Sequence, residues 1–257
     1  MLLLFILGSS TRALCTDSLQ FRALAVERQV MDIHDDVLKA SLLMKKSRLY
    51  KSAAKYNEAF TSLQRIDIGT LEPLIKDSIH YEKAFNLFML GSFPEALQEL
   101  WSMRDVHSLG EPSNVLYMMV LLENQHWNDF RQEYLRSAVE KNIDTTGFHA
   151  AFRPPVVLDA DRYDRLAKIP WLGLGLFRSG YSTRGFTSAS LQIIMTGIGV
   201  WQIATGFYFT GVFSGLFPAW RFYNGGRILT TSMVSRTNAK RIADVKQTGY
   251  SFVGKLE

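Results

Sequence analysis

The chain carries a single cysteine, Cys15, among its 257 residues. That excludes an intrachain disulfide framework, a cysteine-rich zinc site and a thioredoxin-like pair. Five histidines (His34, His80, His107, His126, His149) include no HExxH and no pair at i, i+4 spacing, and there is no GxSxG elbow. The common zinc-hydrolase and serine-hydrolase constellations are therefore missing. Acid is scarce in one part only: residues 166–257 hold two Asp+Glu against ten Lys+Arg, a net of +8, whereas residues 1–165 hold 22 against 19, a net of −3. Glycine is scarce in the other part, with 5 of 18 before residue 166. The longest absence is the stretch 186–220, 35 residues without one Lys, Arg, Asp or Glu. What is present is apolar: 47% of the residues, including five Trp. Such a composition excludes disorder and suffices for one large or two modest domains. The change of charge and glycine near residue 165 divides the chain between two different surroundings.

Residues 1–15 read as a signal peptide. Leu2, Leu3, Leu4, Phe5, Ile6 and Leu7 form an apolar run, followed by Gly8, Ser9 and Ser10. Ala13 and Cys15 put small residues at the −3 and −1 positions of a cleavage after Cys15. No basic residue precedes the run, and the bland counter-reading is the first buried turn of a helix.

Residues 17–145 read as helix after helix. Leu38, Leu42, Leu43, Leu49, Tyr50, Ala53 and Ala54 recur at three- and four-residue spacing, the pattern of an amphipathic helix pair. The later helices are alike: Phe93 and Trp127, each opening a second helix, lie 34 residues apart. Tyr50 precedes Phe93 by 43, and the extra nine residues fit a longer connection around 67–77. Ala84, Gly91, Phe93, Ala96 and Leu97 carry a small–aromatic–small pattern. These units resemble tetratricopeptide repeats, paired antiparallel helices of 34 residues. The resemblance implies that Gly91 ends a first helix tightly and that Ala84 and Ala96 let two helices cross closely. It also implies a continuous stacked core and a concave face that holds a peptide or partner protein. A plain helical bundle is the alternative.

Residues 146–167 read as a linker with a short helix, broken by Gly147, Pro154 and Pro155. Asp159, Asp161 and Asp164 fit a solvated helix start better than a calcium loop, which needs a turn glycine and a closing Glu. The uncharged stretch 186–220 suits two short spans, since a helix crosses ~30 Å of hydrocarbon with ~20 residues. Thr205 and Gly206 are the predicted turn, with Gly197, Gly199, Gly211 and Gly215 at close helix contacts and Trp201, Tyr208, Trp220 and Tyr223 at interfaces. A buried soluble hairpin is the alternative. Upstream, Gly173, Gly175, Gly180, Arg184 and Gly185 resemble the glycine-rich motif of small bacterial two-helix membrane domains. Leu172, Leu176 and Arg178 depart from it. The aromatic-plus-glycine group Phe222, Tyr223, Gly225 and Gly226 fits a turn ending the second helix of such a domain.

These readings predict an all-α chain. A tetratricopeptide-like helical-hairpin array spans 17–145, a glycine-rich transmembrane helical hairpin 168–226, and a basic tail 227–257. The predicted function is a non-catalytic, membrane-anchored scaffold at the bacterial cell envelope. A protein or peptide partner would sit on the concave face of the array, and lipid would meet the hairpin and the tail. Cofactor, metal and nucleic acid are not expected. A structural subunit of a larger envelope complex is the alternative, and a hydrolase rests only on the dipeptide His34-Asp35. Lys168, Arg178 and Arg184 before the hairpin and the basic tail after it favour cytoplasmic flanks, whereas a cleaved signal puts the array in the periplasm. The apolar N-terminal run decides for the periplasm.

Overall fold

The computed structural model describes residues 19–169 and 174–256, and every regular element among them is a helix. The all-α class is as expected. The segment 1–15 and Gly173 lie outside the described residues. The chain forms two compact units, Met1–Gly147 with Gly249–Glu257, and Phe148–Thr248.

The first unit contains α1 (residues 19–32), α2 (Asp36–Ser52), α3 (Tyr56–Gln64), α4 (Pro73–Met89), α5 (Phe93–Trp101), α6 (Glu111–Glu123) and α7 (Trp127–Glu140). From α2 to α7 each helix packs on the next, and α4 also touches α6. Local chemistry starts the helices. The Asp35 carboxylate accepts from the amides of Val37 and Leu38 at 2.8 and 3.4 Å, satisfying donors that lack an intrahelical partner. Proline occupies the first turn of α4, α5 and α6, where its missing amide costs nothing.

One turn recurs between paired helices. Ala54, Gly91 and Gln125 adopt positive φ of 56°, 78° and 61°. In each case the next amide reaches back to close the helix: Lys55 to Tyr50, Ser92 to Leu87 and His126 to Leu121, at 2.9–3.0 Å. This is the Schellman closure, which glycine accepts without strain and other residues do not. An aromatic residue follows two positions later in all three: Tyr56, Phe93 and Trp127. Tyr56, rather than Tyr50, is therefore the counterpart of Phe93, a correction of six residues to the first unit. The interior repeats too. Ser47, Ala84 and Met118 are buried on the first helices, and Leu63, Leu100 and Tyr134 on the second. Ala59 and Ala96 are fully buried three residues into their helices, where Phe130 stands in the third pair. A cluster of Val26, Val30, Leu43, Leu63 and Ile79 ties α1 to the first pair, each large side chain contributing about 1.5–3 kcal/mol on burial.

The last residues of the chain complete this unit. Phe252, Val253 and Leu256 are buried, and the Tyr250 hydroxyl donates to Glu123. A methyl group built on Gly249 would come within 2.6 Å of Leu122. The Leu256 carbonyl accepts from Lys141, which also pairs with Glu111.

α8 (Thr146–Ala151) follows α7, and the second unit then holds α9 (Ala160–Ala167), α10 (Leu174–Arg178), α11 (Ser182–Ala204), α12 (Tyr208–Thr210), a π-helical segment (Gly211–Leu216) and α13 (Phe217–Val253), whose final turns belong to the first unit. Residues 146–167 are more than a linker. Phe148 and Phe152 are buried and stack at 5.2 Å with 7° between their rings. Asp159 caps α9 through the amides of Asp161 and Arg162.

The hairpin turns where expected, at Gly206 with φ 91°. Its second leg does not end at residue 226: α13 continues through Gly225 and Gly226 without a turn. A helix pays only about 1 kcal/mol per glycine, and a methyl group on Gly226 would press on Ser188 Oγ at 3.1 Å. Nor is the region beyond 226 a free basic tail, because Arg227 pairs with Asp164 at 3.3 Å and Arg241 donates to the Val156 carbonyl at 2.6 Å. Asn238 clamps the Leu158 backbone at both its amide and its carbonyl. Among the described residues no helix is long and apolar enough to cross a membrane, so the two full spans expected from the sequence are not met. Gln192, Gln202, Thr196 and the glycines dilute α11, and α13 soon becomes charged.

Candidate functional site

Two features of the fold present apolar surface to the outside, one in each unit. In the first, Tyr81, Phe85 and Phe88 lie at i, i+4, i+7 on α4, and Pro112, Val115, Leu116 and Met119 take matching positions on α6. Helical periodicity gives each set one face, and the two faces line an open groove of about 430 Å³. Three contacts hold its aromatic wall. Tyr56 meets Phe85 edge-on at 6.4 Å, Phe93 packs on Phe88 at 5.5 Å, and the Lys51 ammonium sits 4.8 Å over the Phe85 ring. Lys51 is itself fixed by Glu82 at 2.6 Å. Burial and the neighbouring Glu82 push the Tyr81 phenol above its usual pKa, so it remains a neutral hydrogen-bonding group at physiological pH. The site has the volume and lining of a pocket for an apolar side chain or short segment.

Of the repeat residues singled out in the sequence, Ala84 and Ala96 are fully buried. Gly91 takes the left-handed turn, while Phe93 and Trp127 open α5 and α7. Phe93 supports the groove from behind, through Phe88. In the sequence the only signal of this groove is the spacing of Tyr81, Phe85 and Phe88.

The second feature is the hairpin of α11 against the π-helical segment. Gly199, Gly211 and Gly215 interlock the two backbones: a methyl group on Gly215 would fall 2.2 Å from Gly199 Cα, and one on Gly211 2.7 Å from the Gly199 carbonyl. Gly197 does not take part, having open space where its methyl would be. At 100° per residue, positions 197 and 199 point to opposite sides, so only one of them can face the partner leg. Gly175 packs against Thr230, Gly185 against the Phe177 ring, and Gly180 closes α10 at φ 90°. Around these contacts the hairpin exposes Trp201, Phe207, Tyr208, Phe209 and Phe213, with Phe209 77% exposed.

The histidines are dispersed. His80 pairs with Glu99 at 2.7 Å, His126 with Asp129 at 3.0 Å, and His107 bonds Asn114 and Arg136, both at 2.8 Å. Asp35, of the dipeptide that alone suggested a hydrolase, is the cap of α2. Among the described residues no group of three His, Cys, Asp or Glu is placed to hold a metal ion.

No protein-family model matches the chain, and neither does any curated protein or solved structure.

Proposed function

We propose that this chain is a non-catalytic scaffold of the bacterial cell envelope. A tetratricopeptide-like array of three helix pairs would bind an apolar segment of a protein or peptide in the groove between α4 and α6. The glycine-rich hairpin would hold the array at a lipid bilayer, entering and leaving from one side with the aromatic tip at Phe207–Phe209 innermost. The observation that carries the reading is the apolar surface of that hairpin. A run of exposed Trp, Phe, Tyr and Ile side chains without a compensating charge is costly in water and favourable in lipid or its interface. The recurrent Schellman turn and the Ala59–Ala96 pair support the repeat assignment, and the groove of about 430 Å³ supports the partner site. The apolar N-terminal run favours a periplasm-facing array.

Three measurements test the reading. The full chain should float with lipid vesicles and resist alkaline carbonate washing, and complete release would overturn the anchor. A random peptide library should yield ligands with aromatic or branched aliphatic residues whose binding is lost in Phe85→Glu. Ligands that bind Phe85→Glu as well as the parent would move the partner site elsewhere. Protease added to outer-membrane-permeabilised cells should digest the array; protection until the inner membrane is breached would place it in the cytoplasm.

A further inference from the structure

The second unit contains a cavity that the hairpin contacts leave open. It measures about 670 Å³ and lies between α11 and α13. Its lining is apolar at Leu191, Phe217, Phe222 and Leu229, and it carries two cations, Arg184 from α11 and Arg221 from α13. Neither arginine has a carboxylate partner among the described residues. The polar contact of Arg184 is Met233 Sδ at 3.8 Å, and its guanidinium also lies 5.9 Å from the Tyr181 ring. Arg221 is exposed. Elsewhere in this unit cations near an acid are paired, as Arg227 and Lys168 are with Asp164. The space exists because Gly225 stands on the cavity wall with nothing within 4 Å of where its methyl group would be.

We propose that this groove is a binding site for an anionic phospholipid, its negative headgroup drawn by the cations Arg184 and Arg221 and an acyl chain laid along Leu191, Phe217 and Phe222. The argument is one of complementarity. Guanidinium groups bind phosphate through paired N–H donors, and the remaining wall is mostly apolar, broken by the hydroxyls of Thr187 and Ser188. A free phosphate would leave that wall exposed, and a zwitterionic lipid would bring its own cation beside the two arginines. The site rests on the membrane reading above and adds to it a lipid class and the side chains that choose it.

Gly225→Leu provides a test that the fold should tolerate, since it fills open space and replaces a glycine inside a helix. The full chain, purified in mild detergent, is titrated with phosphatidylglycerol or phosphatidylcholine and the bound lipid counted by native mass spectrometry. Inorganic phosphate serves as competitor, and vesicle flotation is run in parallel. Expected is retention of phosphatidylglycerol on the order of tenfold over phosphatidylcholine. The preference should be lost in Gly225→Leu and in Arg184→Gln/Arg221→Gln, unchanged by millimolar phosphate, and kept in Arg236→Gln/Lys240→Gln. Flotation of all variants should persist. Equal retention of the two lipids, or the same loss in the Arg236/Lys240 control, overturns the groove while leaving the anchor standing. Displacement by inorganic phosphate overturns the lipid as occupant. Failure of the parent chain to float overturns the membrane reading and this site with it.

Discussion

Phe252 sets the edge of its ring against Tyr134, with centroids 5.5 Å apart and planes at 65°. Both rings are buried, so residues near the end of the sequence finish the interior of the last helix pair. Removing one ring isolates that contribution. Phe252→Ala should lower the unfolding free energy by about 3–5 kcal/mol, read as a shift of the midpoint in a denaturant titration of the full chain. An unchanged midpoint would mean that the C-terminal residues merely lie on the surface.

The repeated turn predicts a stabilising change. Gln125 and Ala54 hold left-handed backbone that costs a residue with a side chain roughly 1–2 kcal/mol, of which the greater freedom of glycine in the unfolded chain returns some. Gln125→Gly should therefore raise stability by about 0.5–1 kcal/mol, and Gly91→Ala should lower it by a similar amount or more. A melting temperature moving the other way in either variant would contradict the shared geometry.

The glycines of the hairpin should separate into two classes. Gly215→Ala puts a methyl group against the Gly199 backbone, where nothing flexible can yield, and ought to loosen the hairpin. Gly197→Ala meets open space and gains helix propensity of about 1 kcal/mol. Thermal melts of both variants in mild detergent should move apart, downward for Gly215→Ala. Equal responses would argue against the register of the two legs.

Glu27 links α1 to the first pair through Lys46 at 2.5 Å and Arg65 at 2.7 Å. Hydrogen bonds from Arg65 and then Lys46 hold its carboxyl at a pKa of about 2, down from 4.5. A carboxyl depressed in the folded state stabilises above its unfolded value and loses that contribution as pH falls through its folded one. Its share is thus complete above about pH 4.5 and disappears toward pH 2. Glu27→Gln should be less stable than the parent at pH 6, and the gap should close by pH 2 in urea titrations. A gap that persists at pH 2 would assign the loss to packing.

How far these features could be read in the sequence depended on whether a distinctive residue marked them. The α4–α5 pair was legible because Gly91, Phe93 and Ala96 each do a job that few residues can do. The register of the first pair is ambiguous by six positions in the sequence because Ala54, not glycine, occupies its left-handed turn, and Tyr50 and Tyr56 are two similar aromatics. Gly197 and Gly199 looked alike in sequence, yet only the rotation of α11 against its partner leg distinguishes them. Tyr250, Phe252, Val253 and Leu256 went unread because the surrounding Arg and Lys suggested a solvated tail. The α4–α6 groove depends on which faces of two helices come together, a long-range fact that periodicity within either helix does not contain.

The bond between Tyr250 and Glu123 joins positions 127 residues apart, and this has a consequence for synthesis. Helix pairs close through local contacts and can form as they leave the ribosome. At about 5–20 residues per second, however, the partner of Glu123 arrives roughly 6–25 s after it. Throughout that interval Leu122 and Tyr134 lack the residues that cover them, and the newest helix pair shows an unfinished apolar face to the cell. Chaperone engagement of the nascent chain should therefore peak after α7 emerges and fall once Phe252 has been added.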